Sequence, residues 1–355
     1  MYRSSQDLGR DLLEWYYEHK RSLPWRQTKD PYKIWLSEII LQQTQVKQGQ
    51  AYYERFVKAF PDVLALANSD VNLVLKLWEG LGYYSRARNL HKAANQVLID
   101  FEGVFPNNYN DLLKLKGVGP YTAAAISSIA YGEKQVVVDG NVIRYMSRLH
   151  AIEAPKNSTR SNILVKKAAL DQLGALPPGD FNQAMMEFGA LHCKVHNPLC
   201  MECFASNQCE SYLLNKVQDF PRKKKALIKR ERFFNYVIVH FHGKIAIAQR
   251  TKKDIWQGLN EFLLLEENAK SSVAELEMSL IQKWNLSEKI KLIQDWEIQT
   301  LSHQKIYSRF FIVKINASLL DDFKMYNFVS IKDLRKYAYP KSILRFLEKN
   351  KLHLK

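Results

Sequence analysis

The chain has 355 residues with 46 % hydrophobic and 12 % aromatic content, enough for two domains that each bury a core. Its 52 Lys and Arg outweigh 36 Asp and Glu, and the resulting formal charge of +16 favours a polyanionic partner, nucleic acid before acidic membrane. No stretch approaches the roughly 18 apolar residues of a membrane span, which argues against a spanning helix.

Residues 8–20 show helical apolar spacing. The N-terminal segment is polar and amphipathic and carries no apolar signal core, which predicts a cytoplasmic protein. Leu23, Pro24, Trp25 and Arg26 form a turn. Asp30 and Pro31 then open a second helix, as a cap followed by proline at the first helical position. Ile34, Glu38 and Leu41 are spaced four and three apart and share one face of it. Glu38 thus lies on an apolar stripe with no cation within a turn. Such a carboxyl either meets a cleft with a raised pKa, as a general acid requires, or reaches water from the edge of the stripe. The amide-rich turn at residues 42–45 suits base edges and solvent equally.

Helical periodicity continues over residues 52–60 and 71–78. A glycine-flanked aromatic loop at residues 80–85 interrupts it. Tyr83 and Tyr84 could wedge into a base stack or anchor the loop, and Arg86 and Arg88 follow directly. Residues 112–139 then give an apolar helical turn, a break at Gly117, Val118 and Gly119, and a restart at Pro120. That pattern predicts two short helices joined by a tight hairpin whose bare N–H groups attract a phosphate. An ordinary helix-helix turn has the same signature. Ala123, Ala124 and Ala125 let the second helix pack closely. Asp139 follows the strand-like run Val136 to Val138 and precedes a helical pattern over residues 142–149. It fits an N-cap and a half-buried catalytic carboxylate alike. More helices run to Gly174, and another covers residues 181–192. This first domain reads as all-α.

All four cysteines fall within seventeen residues, as C-x6-C-x2-C-x5-C: Cys193, Cys200, Cys203 and Cys209. Four thiolates at this spacing suit a metal centre, and the single close pair favours a bulky iron–sulfur cluster over structural zinc. Residues 221–232 carry seven basic residues against one acid and form a linker with potential phosphate contacts. Beyond it the pattern alternates. Residues 235–241 and 244–250 predict a β-hairpin around His242 and Gly243, residues 306–315 a strand, and residues 341–349 a closing helix. The domains are expected at residues 1–217 (cluster loop 193–209), 218–232 (linker) and 233–355, the last being α+β. It lacks a glutamate-rich helix for pyrophosphate hydrolysis, which points to a recognition module.

Together these residues resemble the endonuclease III superfamily of helix-hairpin-helix DNA glycosylases. More narrowly, residues 23–26, 37–46, 78–90 and 138–142 look like the MutY-type adenine glycosylase branch. The likeness continues more loosely at residues 255–262 and 301–303. It implies an all-α helix-hairpin-helix glycosylase domain with one [4Fe–4S] cluster per chain on the four cysteines, followed by a Nudix-like, non-hydrolytic α+β domain. The implied substrate is duplex DNA with adenine opposite 8-oxoguanine or guanine, bound by a nucleoid-associated monomer. Glu38 matches the general acid and Asp139 the carboxylate that stabilises the sugar cation, with Tyr121 and Asn141 assisting. Trp25, Arg26, Leu41, Gln183 and Met186 match adenine-pocket positions. Gln43, Tyr83, Gly117, Val118, Gly119, Ser302 and His303 match DNA-contacting ones. Strand-cutting members carry lysine where this chain has Tyr121, and a phenol forms no imine, so a monofunctional glycosylase is expected. The chain departs from the pattern at Leu301 and Asn260, both commonly aromatic. An endonuclease III-like enzyme for oxidised pyrimidines and a non-catalytic DNA-binding protein stand as alternatives.

Overall fold

The computed structural model describes residues 4–223, 228–286 and 288–350. They fall into two compact units, one of residues 1–69 and 89–225, the other of residues 70–88 and 226–355. Residues 70–88, which the sequence reads as part of the helical domain, group with the C-terminal sheet. Of the expected linker, residues 224–227 lie outside the described residues, and Arg230 to Arg232 already belong to the first strand.

The helices of the chain begin with α1 (Ser5–His19), α2 (Pro31–Leu41), α3 (Val46–Ala59), α4 (Val63–Ala67), α5 (Val71–Leu77), α6 (Ser85–Asp100) and α7 (Tyr109–Leu112). They continue with α8 (Pro120–Tyr131), α9 (Gly140–Leu149), α10 (Thr159–Leu173), α11 (Pro178–Leu191) and α12 (Glu210–Leu213). Local chemistry sets the starts. Ser4 and Asp7 close a capping box on α1, and the Asp30 carboxylate accepts the Tyr32 N–H at 2.9 Å beside Pro31. Ala123, Ala124 and Ala125 of α8 are fully buried, as close helix packing requires. Gly189 brings α11 against α9: a Cβ there would stand 2.6 Å from Asn141 Cβ. The run Val136 to Val138 is not a strand. It is extended chain held by a side chain instead of a sheet, the Val137 N–H donating to Asn182 Oδ1 at 3.0 Å.

The second unit holds a mixed sheet of β1 (Arg230–Phe241), β2 (Lys244–Gln249), β3 (Asn260–Glu261), β4 (Leu263–Glu267), β5 (Lys291–Thr300), β6 (Gln304–Lys314) and β7 (Asn327–Ser330). Strands run in the order β3-β2-β1-β6-β5, with β4 beside β1 and β7 beside β2. The expected hairpin exists, with His242 and Gly243 both at positive φ, but its β1–β2 ladder spans only His240↔Ile245 and Phe241↔Lys244. Most of β1 pairs in parallel with β6, from Arg230↔Gln304 to His240↔Lys314. The reason lies in its burial on both faces from Arg232 to Val239, which makes it a central strand. One face packs Phe234, Tyr236 and Ile238 under α14 (Lys341–Lys349). The other packs Val237, Val239 and Phe311 with Leu276 and Leu280 of α13 (Val273–Trp284).

Candidate active site

In the helical unit a cleft of about 1,580 Å³ gathers Trp25, Arg26, Glu38, Leu41, Tyr121, Asp139, Asn141, Gln183 and Met186. Five separate pieces of chain supply them: the 3₁₀ turn Pro24–Arg26, α2, the start of α8, the start of α9, and α11. Glu38 is 7 % exposed, and the Tyr121 hydroxyl donates to its Oε2 at 2.5 Å. Burial pushes the Glu38 carboxyl up to about 7 against the pull of that hydroxyl; the Asp139 charge adds to the rise. The Tyr121 phenol is driven well above its ordinary range by burial and by the Glu38 and Asp139 charges, so it remains a donor.

Asp139 caps α9. Its Oδ1 accepts the N–H groups of Asn141 at 2.9 Å and Val142 at 2.7 Å, and its Oδ2 accepts the Asn141 side-chain amide at 2.9 Å. Burial nevertheless lifts this carboxyl above the usual range; the three N–H donors and Arg144 oppose the rise. The helix start alone therefore does not hold it low. What separates the two carboxyls is their partners: three N–H groups, which favour an anion, against one hydroxyl.

Arg26 lines the cleft and is held there by an ion pair. Its Nη1 and Nη2 each donate at 2.8 Å to Glu187, which also accepts the Arg21 Nε at 2.8 Å and backbone N–H at 2.9 Å. Burial works against the Glu187 anion, but the hydrogen bonds from both arginines override it and hold the carboxyl at about 2. Sequence reasoning missed Glu187, although it follows Met186 and lies one turn beyond Gln183. It missed Tyr16 too, whose hydroxyl donates to Gln183 Oε1 at 3.1 Å and orients that amide. Neither contact spans fewer than 160 residues of chain, so no local pattern signals it.

The hairpin departs from its reading in one respect. Gly117 lies at φ 81°, and a Cβ there would stand 2.8 Å from Asn89 Cβ. Gly119 instead is extended, caps α8 with no side-chain bond, and has nothing within 4 Å of its Cβ position. Val118 between them is buried. Gln43, exposed and left-handed at φ 55°, is not among the residues lining the cleft.

The second unit has its own cavity of about 1,190 Å³, lined by Tyr83, Ser302 and His303 with Trp256 and Arg88. The Tyr83 hydroxyl and Ser302 Oγ are hydrogen-bonded. Leu301 turns onto the α14 side of the core, and Asn260 donates its N–H to Ala338 O at 2.8 Å, so both departures have local partners. Cys193, Cys200, Cys203 and Cys209 line one largely apolar cavity of about 390 Å³ in the helical unit. Burial pushes the Cys193 and Cys200 thiols up and Cys203 to about 12, so their thiolates need a cationic group between them. Among the described residues no three His, Cys, Asp or Glu stand close enough to hold a single ion. Four thiolate sulfurs are the donor set of an iron–sulfur cluster.

Comparison with known proteins agrees with this architecture. The HhH-GPD superfamily base excision DNA repair protein model matches residues 36–169, and a NUDIX domain model matches residues 235–349. The adenine DNA glycosylase of Buchnera aphidicola subsp. Baizongia pistaciae is 35 % identical over 304 residues, 83 % of each chain. That of Buchnera aphidicola subsp. Schizaphis graminum is 32 % identical over 95 % of this chain and 96 % of its own. This chain belongs to the adenine DNA glycosylase family. The human adenine DNA glycosylase is 41 % identical over 209 residues, 56 % of this chain and 38 % of that one. Among solved structures, a thermostable thymine-DNA glycosylase is 28 % identical at TM-score 0.55, covering 59 % of this chain and 97 % of its own. An endonuclease III–DNA complex, 20 % identical at TM-score 0.51 over 60 % of this chain and 99 % of its own, shares the fold of the helical part. As an adenine DNA glycosylase the protein is a DNA N-glycosylase of base-excision repair, and DNA is its partner.

Proposed function

We propose that this enzyme removes adenine mispaired with 8-oxoguanine or guanine from duplex DNA and leaves an intact strand with an abasic site. The observation that carries the mechanism is the pairing of Glu38, raised to about 7 and held by Tyr121 at 2.5 Å, with Asp139 under three N–H donors in one cleft. Adenine flips out of the duplex, which costs a few kcal/mol of stacking and pairing. Trp25, Leu41, Gln183 and Met186 receive the base. Glu38, protonated, gives its proton to adenine, and the glycosidic bond breaks with its electron pair on the base. Asp139 stabilises the sugar cation that remains, and water adds at the anomeric carbon as its proton passes to a carboxylate. Asn141 and the α9 amides hold Asp139 for this role.

Tyr121 has no amine, so the reaction stops at the abasic site. Gly117, Val118 and Gly119 bind a phosphate, Gln43 contacts base edges, and Tyr83, Ser302 and His303 read the base opposite adenine. Cys193, Cys200, Cys203 and Cys209 hold one [4Fe–4S] cluster, which when bound supplies the cationic centre their buried thiolates need and fixes the loop bearing Lys194. The enzyme works as a monomer.

The test is a single-turnover assay on duplexes with adenine opposite 8-oxoguanine, adenine opposite guanine, and thymine glycol opposite adenine, with and without alkali. Adenine release that nicks only after alkali is expected. Cleavage of the thymine glycol strand without alkali overturns the proposal.

A further inference from the structure

Beside the catalytic cleft lies a second cavity of about 970 Å³ in the same helical unit. Asn141, Arg144 and Val195 line both, so one layer of side chains divides them. The second cavity is lined by cations and by no carboxylate. Its two arginines are already committed to the protein. Arg144 Nε donates to Cys193 O at 2.8 Å, and Arg148 donates to the carbonyls of Val217 at 3.0 Å and Lys194 at 2.6 Å. Lys156 and Lys223 differ: among the described residues neither ammonium has an ion-pair partner. Their backbones are fixed relative to one another. The Lys156 N–H donates to Arg222 O at 2.9 Å, and Arg222 grips Glu153 with two bonds at 2.7 and 2.9 Å. Gly140, the first residue of α9, also lines this cavity and has nothing within 4 Å of its Cβ position, so that wall is open.

Two lysines with no ion-pair partner among the described residues, held by a braced backbone around a cavity with no carboxylate in its lining, make a site for an anion. The distance from the chemistry says which one. Asp139, the α9 cap, faces the reacting sugar, and the cavity begins one side chain further along α9. The sugar's own phosphodiester chain must leave the cleft in some direction, and this cavity is a cationic exit on the α9 side of it, where the cleft's own rim also carries Lys47 and Lys194. We propose that the cavity seats a backbone phosphate of the adenine-bearing strand next to the flipped nucleoside, with Lys156 and Lys223 as its ligands. This rests on the function proposed above.

The test measures equilibrium binding to a short duplex carrying a non-cleavable abasic analogue in place of the adenosine. Binding is followed across a salt series for wild type, Lys156→Ala, Lys223→Ala and the double variant. Each substitution should weaken binding roughly three- to tenfold, and the double variant should lower the slope of log Kd against log salt by about one, the signature of one lost phosphate contact. Replacing single phosphates by neutral methylphosphonates then locates the contact. One position on the adenine strand beside the lesion should remove the penalty of Lys156→Ala, and its neighbours should leave it intact. Unchanged affinity and slope overturn the assignment, as does coupling only to phosphates of the opposite strand. Weakened binding that no single methylphosphonate cancels also overturns it, since that reports diffuse charge. A circular dichroism melt equal to wild type guards against misfolded variants. The readout needs no catalysis, so failure of adenine release by wild type would strike the proposed function separately.

Discussion

Glu38 is costly to fold around and, under the proposed function, useful for that reason. Its carboxyl titrates at about 7 in the folded chain against 4.5 in an ordinary setting, chiefly because it is buried. A raised carboxyl contributes its stability below the unfolded value and loses it as pH rises through the folded one, here between about 4.5 and about 7. The loss is of order 3 kcal/mol for a shift of this size. Glu38→Gln should abolish that slope, leaving the variant more stable than wild type in urea titrations above pH 7, while base release falls by at least roughly a hundredfold and binding of mispaired DNA persists. Release as fast as wild type would remove Glu38 from the mechanism. The same group predicts the pH profile. The acid form is consumed above about 7, so the single-turnover rate should fall there about tenfold per pH unit. The Tyr121 hydroxyl favours the carboxylate, so Tyr121→Phe should move the break to higher pH. A downward move would contradict the pairing seen at 2.5 Å.

At the scale of elements, the cleft depends on how closely α11 approaches α9. The approach occurs at Gly189, where a Cβ would stand 2.6 Å from Asn141 Cβ and 2.8 Å from Asn141 O. The obstacle includes backbone, so the helices must separate. Gly189→Ala should cost about 1–3 kcal/mol in denaturant unfolding, as overpacking does, and slow base release beyond what the stability loss accounts for, because Asn141 holds Asp139. A slowed variant with wild-type stability, or a destabilised one with wild-type rate, would separate Gly189 from the Asp139 geometry. This dependence is not legible in the sequence, where Gly189 is one small residue in a helical run. Caps and starts were legible, because they are local: Asp30 before Pro31, Asp139 before α9, Gly117 at the hairpin. The rise of Glu38 was only half legible, since an apolar stripe admits a desolvated carboxyl and one that reaches water from its edge. Glu187 and Tyr16 were not legible, because their partners lie far along the chain. Nor was the parallel β1–β6 ladder, because alternation marks a strand but not its neighbour.

Across the whole molecule, the proposed function assigns protonation and discrimination to different units. Glu38, Tyr121 and Asp139 all belong to the unit of residues 1–69 and 89–225, while Tyr83, Ser302 and His303 belong to the unit of residues 70–88 and 226–355. The excursion of residues 70–88 matters for that division. It gives the sheet-bearing unit a tyrosine from the first half of the chain, and the Tyr83 hydroxyl is bonded to Ser302 within one cavity. Chemistry and opposite-base preference should therefore fail independently. Ser302→Ala combined with His303→Ala removes a hydroxyl and an imidazole from the second cavity and leaves every group around Glu38 untouched. The preference for adenine opposite 8-oxoguanine over adenine opposite guanine should shrink by roughly tenfold, the worth of about one hydrogen bond to a base. The single-turnover rate on the guanine mispair should change by much less. Equal loss on the two substrates would show that these side chains serve binding in general, and the reading of the opposite base would then have to lie elsewhere, with Gln43 the next residue to change.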